Sequence, residues 1–276
     1  MLTETVRRHY DDIIASNYDV DPQGITGKCQ DFAIEQLQGT NAFAPGLPNL
    51  RVLDLGMGTG MFLSKLRHSS ARQIDPYGLD LSENMAAQAK RKHPDLQVVV
   101  DDAACFDDHF PGQTFDLICT HFITGFVPLS HLILRIWDRL SPGGYWSFLG
   151  ATKSAYPALQ NIANGKLVKR LFGASDGDIV ETGHSPDNLE QAQSEIEQKG
   201  FEICDSKDFR PELIFANFEA FMEYAYYGGW LTPYVEGLGL QQIGWPMKKL
   251  VNLLIFPLQD YHHVAAVVAR KPILND

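Results

Sequence analysis

Residues 51–62, RVLDLGMGTGMF, set an apolar run containing an acid against three glycines at alternate positions, Gly56, Gly58 and Gly60. Val52, Leu53 and Leu55 read as a strand buried on both faces. The turn behind it carries almost no side chains, so backbone N–H groups and the start of the next helix can approach a polar ligand closely. Such a turn can also be purely structural, and its spacing is the more informative feature. A dinucleotide fingerprint, G-x-G-x-x-G, fails here because Met61 stands at its third glycine. The pattern is G-x-G-x-G, with Asp54 two residues ahead of it.

Outward from this stretch, apolar runs alternate with helical ones. RQIDPYGLDL (72–81, regular near its end), LQVVVD (96–101), FDLICT (115–120) and GYWSFLG (144–150) read as strands. GMFLSKLRHS, SENMAAQAKRKH and SHLILRIWDRL lie between them, the last with Leu132, Ile133, Ile136, Trp137 and Leu140 at helical spacing. Ser82 is a plausible N-cap. Further on, SPDNLEQAQSEIEQKG predicts a helix starting at Ser185-Pro186, FEICDSKDFR a strand, and DYHHVAAVVARKP the last strand. The spacing between those two strands is too long for a hairpin, so residues 211–260 are predicted to be helical. This alternation predicts an α/β fold with a mostly parallel sheet.

Composition bounds the partners. The 276 residues are 45% hydrophobic, enough for one large domain or a domain with a sizeable insertion. A net charge of −11 disfavours nucleic acid, whose phosphates need clustered Lys and Arg. Cys29, Cys105, Cys119 and Cys204 are scattered without a C-x-x-C pair, which reads as reduced thiols of a cytoplasmic protein. MLTETVRRHYDDII lacks the apolar stretch of a signal peptide. LVNLLIFPL (250–258) is far shorter than the roughly twenty residues a membrane span needs. A soluble protein with no membrane span, no nucleic-acid partner and no metal is expected.

DLGMGTG matches the pattern (D/E)-x-G-x-G-x-G, and here the chain resembles the class I S-adenosylmethionine (SAM) dependent methyltransferases. YGLDLSENM places Asp80 twenty residues after Gly60, where that family holds the ribose hydroxyls of SAM; a carboxylate suits a vicinal diol. VVVDDAACF supplies Asp101 and Asp102, with Asp102 and Ala103 the better match to the adenine position and Asp101 a strand cap. FDLI and LSPGGYWSF resemble the family's fourth strand and its turn into the fifth. The resemblance implies a doubly wound seven-stranded Rossmann-like sheet, an antiparallel last strand and a helical insertion between the last two strands. It implies SAM as cofactor, held by Asp54, Gly56, Met57, Gly58, Gly60, Asp80, Leu81, Met85, Asp102, Ala103 and Thr120. HYDDIIASNYD is similar to a Y-D-x-x-A-x-x-Y-D segment that forms a helix over the cofactor in many members, which would bring Tyr10 and Tyr18 to the methionine end. An amphipathic helix with both tyrosines in the core explains the same residues.

The implied organisation is an N-terminal helical cap (1–40), a SAM-binding core (41–210 and 261–276) and a helical substrate cover (211–260). The implied reaction is in-line methyl transfer to O, N or C of a small, hydrophobic or aromatic molecule, which rests chiefly on alignment. Transfer of a non-methyl part of SAM, or a SAM-binding interaction protein without turnover, are the competing readings. CTHFITGFVP departs from the (D/N)-P-P-(Y/F) of amine- and DNA-directed members. It leaves His121 as the candidate base, or as a partner of the SAM carboxylate, or as a wall residue. His184 is a second candidate, on the ground that the insertion before it borders the pocket; a loop residue beside a helix cap is the plainer reading. His262 and His263, adjacent on a strand, point to opposite faces and cannot share a metal.

Residues 209–262 hold 12 of the chain's 30 aromatics. Phe218, Phe221, Met222 and Ala225 at helical spacing read as core. In EYAYYGGWLTPY the aromatics cannot share one helix stripe, and Gly228-Gly229 reads as a hinge. Tyr224, Tyr227, Trp230 and, from the segment after the fourth strand, Phe126 are the candidate substrate contacts. A homodimer surface would enrich the same residue types.

Overall fold

The computed structural model describes residues 7–165 and 184–273. Strand β1 (Leu50–Leu55) is the apolar run quoted above, buried at all but one of its residues, as a strand covered on both faces requires. It pairs in parallel with β2 (Ile74–Asp80) on one side and β4 (Phe115–His121) on the other. β3 (Gln97–Val100) lies outside β2, and β5 (Leu140–Ala151) outside β4. Beyond β6 (Glu202–Phe209), the short strands β7 (Glu212–Phe215) and β8 (Leu258–Tyr261) form a separate antiparallel pair. β9 (Val264–Arg270) then runs antiparallel between β5 and β6, giving the order β3-β2-β1-β4-β5-β9-β6. This is the expected seven-stranded, doubly wound, mostly parallel sheet.

Alternation along the strands divides the apolar residues between two layers. On one side Val52, Leu117, Val264, Ala266 and Val268 pack with helices α1 (Ile25–Gln38), α2 (Met61–Ser69) and α3 (Glu83–Lys92). On the other, Leu53, Ile118, Trp146, Phe148 and Val267 pack with α4 (Leu129–Arg139) and with the helix Leu189–Gln198. Leu53, Ile118 and Phe148 are essentially inaccessible, and each such burial contributes roughly 1.5–3 kcal/mol.

Several boundaries differ from the sequence expectation. β2 is regular from Ile74 and keeps register through Pro76, which faces Val52. β5 begins directly at the end of α4, and Ser141-Pro142-Gly143-Gly144 form its irregular start, with a register shift opposite Phe115 and Leu117. The helix predicted from Ser185-Pro186 starts later: the Asn188 side chain caps it, accepting from the Gln191 N–H at 2.9 Å. The segment 211–260 is not wholly helical, since β7 and β8 close its base. His262 and His263 fall between β8 and β9 and not on one strand, because the chain breaks there to pass from the small ladder into the large sheet.

The insertion carries α5 (Pro157–Asn164) as a neighbour, since the buried Asp260 carboxylate accepts from the Ala158 and Leu159 N–H groups that open that helix. Its own helices are α6 (Phe218–Met222), followed by a π-type turn over Glu223–Tyr227, then α7 (Thr232–Gly237) and α8 (Trp245–Ile255). Before the sheet, Tyr10–Ile14, Ala15–Asn17 and Tyr18–Val20 form three short helical turns of different pitch. Asp11 Oδ1 ties them to α3, accepting from Ser82 Oγ–H at 2.5 Å and Asn84 N–H at 3.1 Å. The Gly228-Gly229 pair is a docking point: Gly229 has φ +80°, and a Cβ there would lie 2.5 Å from Ile14 Cδ1. The glycine is what lets the insertion sit directly on the N-terminal turns. Among the described residues no helix is long and apolar enough to cross a membrane.

Candidate active site

The parallel strands end together, and their carboxyl ends and following loops build one cavity of about 210 Å³. Gly56 and Gly58 follow β1, Asp80 ends β2 and Leu81 follows it, Asp102 and Ala103 follow β3, and His121 ends β4 with Phe122 to Val127 behind it; of these, all but Thr124 line it. Met85 of α3 and Tyr10 and Tyr18 of the N-terminal turns complete the wall, with His184 at its rim. The three loop glycines have φ of +69°, +55° and +78°, which an L side chain adopts only with strain. Gly58 also leaves the space that faces Tyr18, whose Cε1 lies 3.4 Å from the position of an added Cβ.

Asp80 organises this loop. Its Oδ2 accepts from the Gly58 N–H at 2.8 Å and its Oδ1 from the Ser82 N–H at 2.9 Å. Burial raises its pKa to about 6 against the pull of those N–H donors. Asp54, one strand over, is raised to about 8 by burial and by the Asp80 charge. Asp102 accepts from the Ala104 N–H at 2.9 Å and faces the cavity, whereas Asp101 turns away to His109 Nε2 at 2.7 Å.

A second cavity, of about 170 Å³, adjoins the first and shares with it Tyr10, Tyr18, Phe122, Gly125 and Phe126. Trp230, Tyr234, Tyr156, Thr124 and His262 line its far side. Among the described residues that line it, none is an Asp, Glu, Lys or Arg. Phe122, between the two, has φ +61°, a strained conformation of the kind held at functional sites.

Residues 52–144 match the family described as methyltransferase domain. Over these residues the chain carries a methyltransferase domain. Its fold is shared with the YcgJ protein of Bacillus subtilis (14% identity, 89% of this chain and 99% of that one, TM-score 0.56). A Haemonchus contortus phosphoethanolamine N-methyltransferase, solved with phosphomonomethylethanolamine and S-adenosylhomocysteine, is similar over 97% of this chain at 18% identity and TM-score 0.52. This chain spans 60% of that enzyme. No match was found among the curated proteins.

The methyltransferase takes SAM as cofactor, and the residues present fit it: a bare loop with strained glycines, a buried carboxylate ending the second strand, and an aromatic and apolar wall. Of the residues expected to touch SAM, the structure brings Gly56, Gly58, Asp80, Leu81, Met85, Asp102, Ala103, Tyr10 and Tyr18 into the first cavity. Asp54, Met57, Gly60 and Thr120 lie outside its wall. Met57 folds back beneath β2, its Sδ filling the space at Gly78 where a Cβ would stand 2.1 Å away. Gly60 packs on His93 and Ala89, and the Thr120 hydroxyl accepts from Trp146 Nε1–H at 2.8 Å. On the acceptor side Trp230 and Phe126 line the second cavity, while Tyr224 is buried behind it and Tyr227 is 45% exposed away from it.

His121 lines the first cavity with Nε2 hydrogen-bonded to Ser147 Oγ at 3.0 Å. Burial lowers its pKa to about 3, so it is neutral at pH 7 and a weak base. Sequence reasoning missed Ile123, Thr124 and Gly125, which stood in the quoted CTHFITGFVP, and Tyr156, for which no local pattern gave a signal; it singled out His262 only as half of a metal pair with His263, not as a wall residue.

The two raised carboxyls set a pH dependence. Their folded-state pKa values lie above the ordinary 3.8, so the folded chain binds more protons than the unfolded chain from about pH 4 to pH 8. Their contribution to stability is full below pH 3.8 and is lost as pH rises through about 6 and about 8. The ligand-free protein is expected to melt several degrees higher at pH 6 than at pH 8. Asp54→Asn should remove most of that difference, as read by calorimetry.

Proposed function

We propose that this enzyme transfers the methyl group of SAM to an O, N or C atom of a small, apolar or aromatic molecule held in the second cavity. The carrying observation is the shared wall: two cavities meeting at Phe122, Gly125 and Phe126, one at the glycine loop and one under the aromatic insertion. In this reading Asp80 holds the ribose hydroxyls, Asp102 and Ala103 the adenine, and the loop N–H groups with Tyr10 and Tyr18 the methionine portion. Bound SAM supplies an electrophilic methyl group.

The chain's own contribution is alignment and exclusion of water. Alignment of two reactants lowers a barrier by up to roughly 7–11 kcal/mol, and the buried histidines on the cavity walls, His121 and His262, are both held near pKa 3 by burial. The acceptor in this reading needs no deprotonation by His121. In this reading the turns over Tyr10–Val20 cap the cofactor and 211–260 covers the acceptor, while α1, expected with the cap (1–40), packs on the sheet as part of the core (41–210 with 261–276).

Incubation with methyl-labelled SAM and a metabolite extract should place label in an extractable small molecule. Label found only in protein or nucleic acid would overturn the acceptor class. Release of methylthioadenosine would overturn methyl transfer.

A further inference from the structure

Three side chains from distant parts of the chain meet behind the second cavity. Tyr156 Oη lies 2.6 Å from His262 Nδ1, Tyr224 Oη lies 2.9 Å from the same nitrogen, and the two hydroxyls are 2.9 Å apart. All three residues are buried, His262 completely. Trp230 stacks on Tyr224 with ring centroids 5.9 Å apart and sits edge-on to His262 at 4.7 Å. His262 lines the cavity, and its Nε2 is a buried nitrogen with no partner among the described residues. Thr124 Oγ1, on the same cavity, is also buried and without a partner among the described residues.

Counting protons assigns the imidazole tautomer. The triangle contains two hydroxyl protons, and neither tyrosine has another partner among the described contacts. If Nδ1 is bare, Tyr156 O–H donates to it and Tyr224 O–H donates to Tyr156 Oη, so both protons are used. If Nδ1 carries the proton, it donates to one hydroxyl, that hydroxyl donates to the other, and the last O–H has no acceptor. The first arrangement leaves one buried group unmet, the Nε2–H, and the second leaves two, the last O–H and the bare Nε2, so the first is favoured. It puts the imidazole proton on Nε2, the unpartnered atom.

Resting on the acceptor site proposed above, we infer that His262 Nε2–H, with the Thr124 hydroxyl, is the recognition element for an uncharged acceptor molecule bearing a carbonyl-type oxygen. A carbonyl oxygen has two lone pairs and can take a bond from each donor. Among the described residues that line the cavity none is charged, which favours a neutral ligand, since a buried charge would lack a counterion there. The surrounding Trp230, Phe122 and Tyr234 suit a flat, apolar body. The two tyrosines are positioning residues: they fix the tautomer and orientation of the ring and do not themselves meet the ligand through their hydroxyls.

The test uses two isosteric probes, acetophenone and α-methylstyrene, in which a methylene replaces the carbonyl oxygen. Each is titrated calorimetrically into the full chain saturated with S-adenosylhomocysteine. Acetophenone is expected to bind about tenfold more tightly, the size of one net hydrogen bond. His262→Phe should abolish that preference while leaving α-methylstyrene binding intact. His262→Gln, which can place an N–H near the Nε2 position, should restore part of it. Nitrogen NMR of the native protein should show the Nε2–H tautomer.

Equal binding of both probes by the native protein, or an Nδ1–H tautomer, would overturn the inference while leaving the acceptor site standing. Retention of the preference in a natively melting His262→Phe protein would do the same. Failure of both probes to bind, with S-adenosylhomocysteine bound normally, would overturn the acceptor site as well.

Discussion

Replacing Asp80 with alanine is expected to weaken SAM binding about a hundredfold or more, with little change in the melting temperature of the ligand-free protein. The carboxylate has two functions in the proposed complex. It would accept from the two ribose hydroxyls, and hydrogen bonds to a charged group are worth about 1.5–3 kcal/mol each. It already holds the glycine loop through the Gly58 N–H at 2.8 Å and the start of α3 through the Ser82 N–H at 2.9 Å. Alanine removes both, but it also removes a buried carboxyl whose ionisation is costly, so stability is nearly balanced. Because the pKa of Asp80 lies at about 6, affinity for SAM in the native protein should decline as pH falls below that value. Asp80→Asn, which keeps one acceptor oxygen, should bind between the two and lose that pH dependence. Calorimetric titration from pH 5 to pH 8 checks all three statements; unchanged affinity in the alanine variant would remove Asp80 from the site.

Gly56→Ala is expected to cost both stability and cofactor affinity. At φ +69° an alanine adopts a left-handed conformation that costs roughly 1–2 kcal/mol. Its Cβ would also stand 2.3 Å from Ile123 Cγ2, and Ile123 is buried in the layer beneath α4. Neither side can yield cheaply, because the Gly56 N–H is held by the Leu79 carbonyl at 2.8 Å and a β-branched side chain has little rotamer freedom. A total near 3 kcal/mol corresponds to a fall of about 6–12 °C in melting temperature for a chain of this size. SAM affinity should fall at least tenfold as the loop shifts. Gly112→Ala is the control: it also has positive φ, +72°, but nothing lies within 4 Å of its Cβ, so it should lose stability and keep its affinity.

The sheet was legible because its strands are buried on both faces, and continuous apolar runs such as RVLDL and FDLICT report that directly. The glycine loop was legible because a backbone that must turn sharply toward a ligand leaves a spacing in the chain. Position in a motif was a weaker guide than packing. Met57 stands between two loop glycines, yet its thioether is drawn into the apolar space beneath Gly78. Thr120 ends a strand at the cavity but spends its hydroxyl on Trp146. The ladder of β7 and β8 was hidden because its two four-residue strands are far apart in sequence and have no turn between them to announce their pairing. The Tyr156–Tyr224–His262 triangle was hidden for a related reason: it draws on the start of a helix, a π-type turn and a strand junction, and only the folded chain brings them together.

The ladder has an evolutionary consequence. The chain leaves the main sheet after Phe209 and rejoins it at Val264, and Glu212–Phe215 paired with Leu258–Tyr261 clamps the two crossings side by side. Residues can therefore be gained, lost or exchanged between Phe215 and Leu258 without altering the register of β6 on β9. Such an exchange is not free at its other end. Gly229 seats against Ile14, and His9 Nε2 contacts the Tyr226 carbonyl and the Thr232 hydroxyl, each at 3.1 Å. A cassette transplanted from another enzyme has to arrive with a matching N-terminal leader, so the two should drift together through a lineage even though most of the chain separates them.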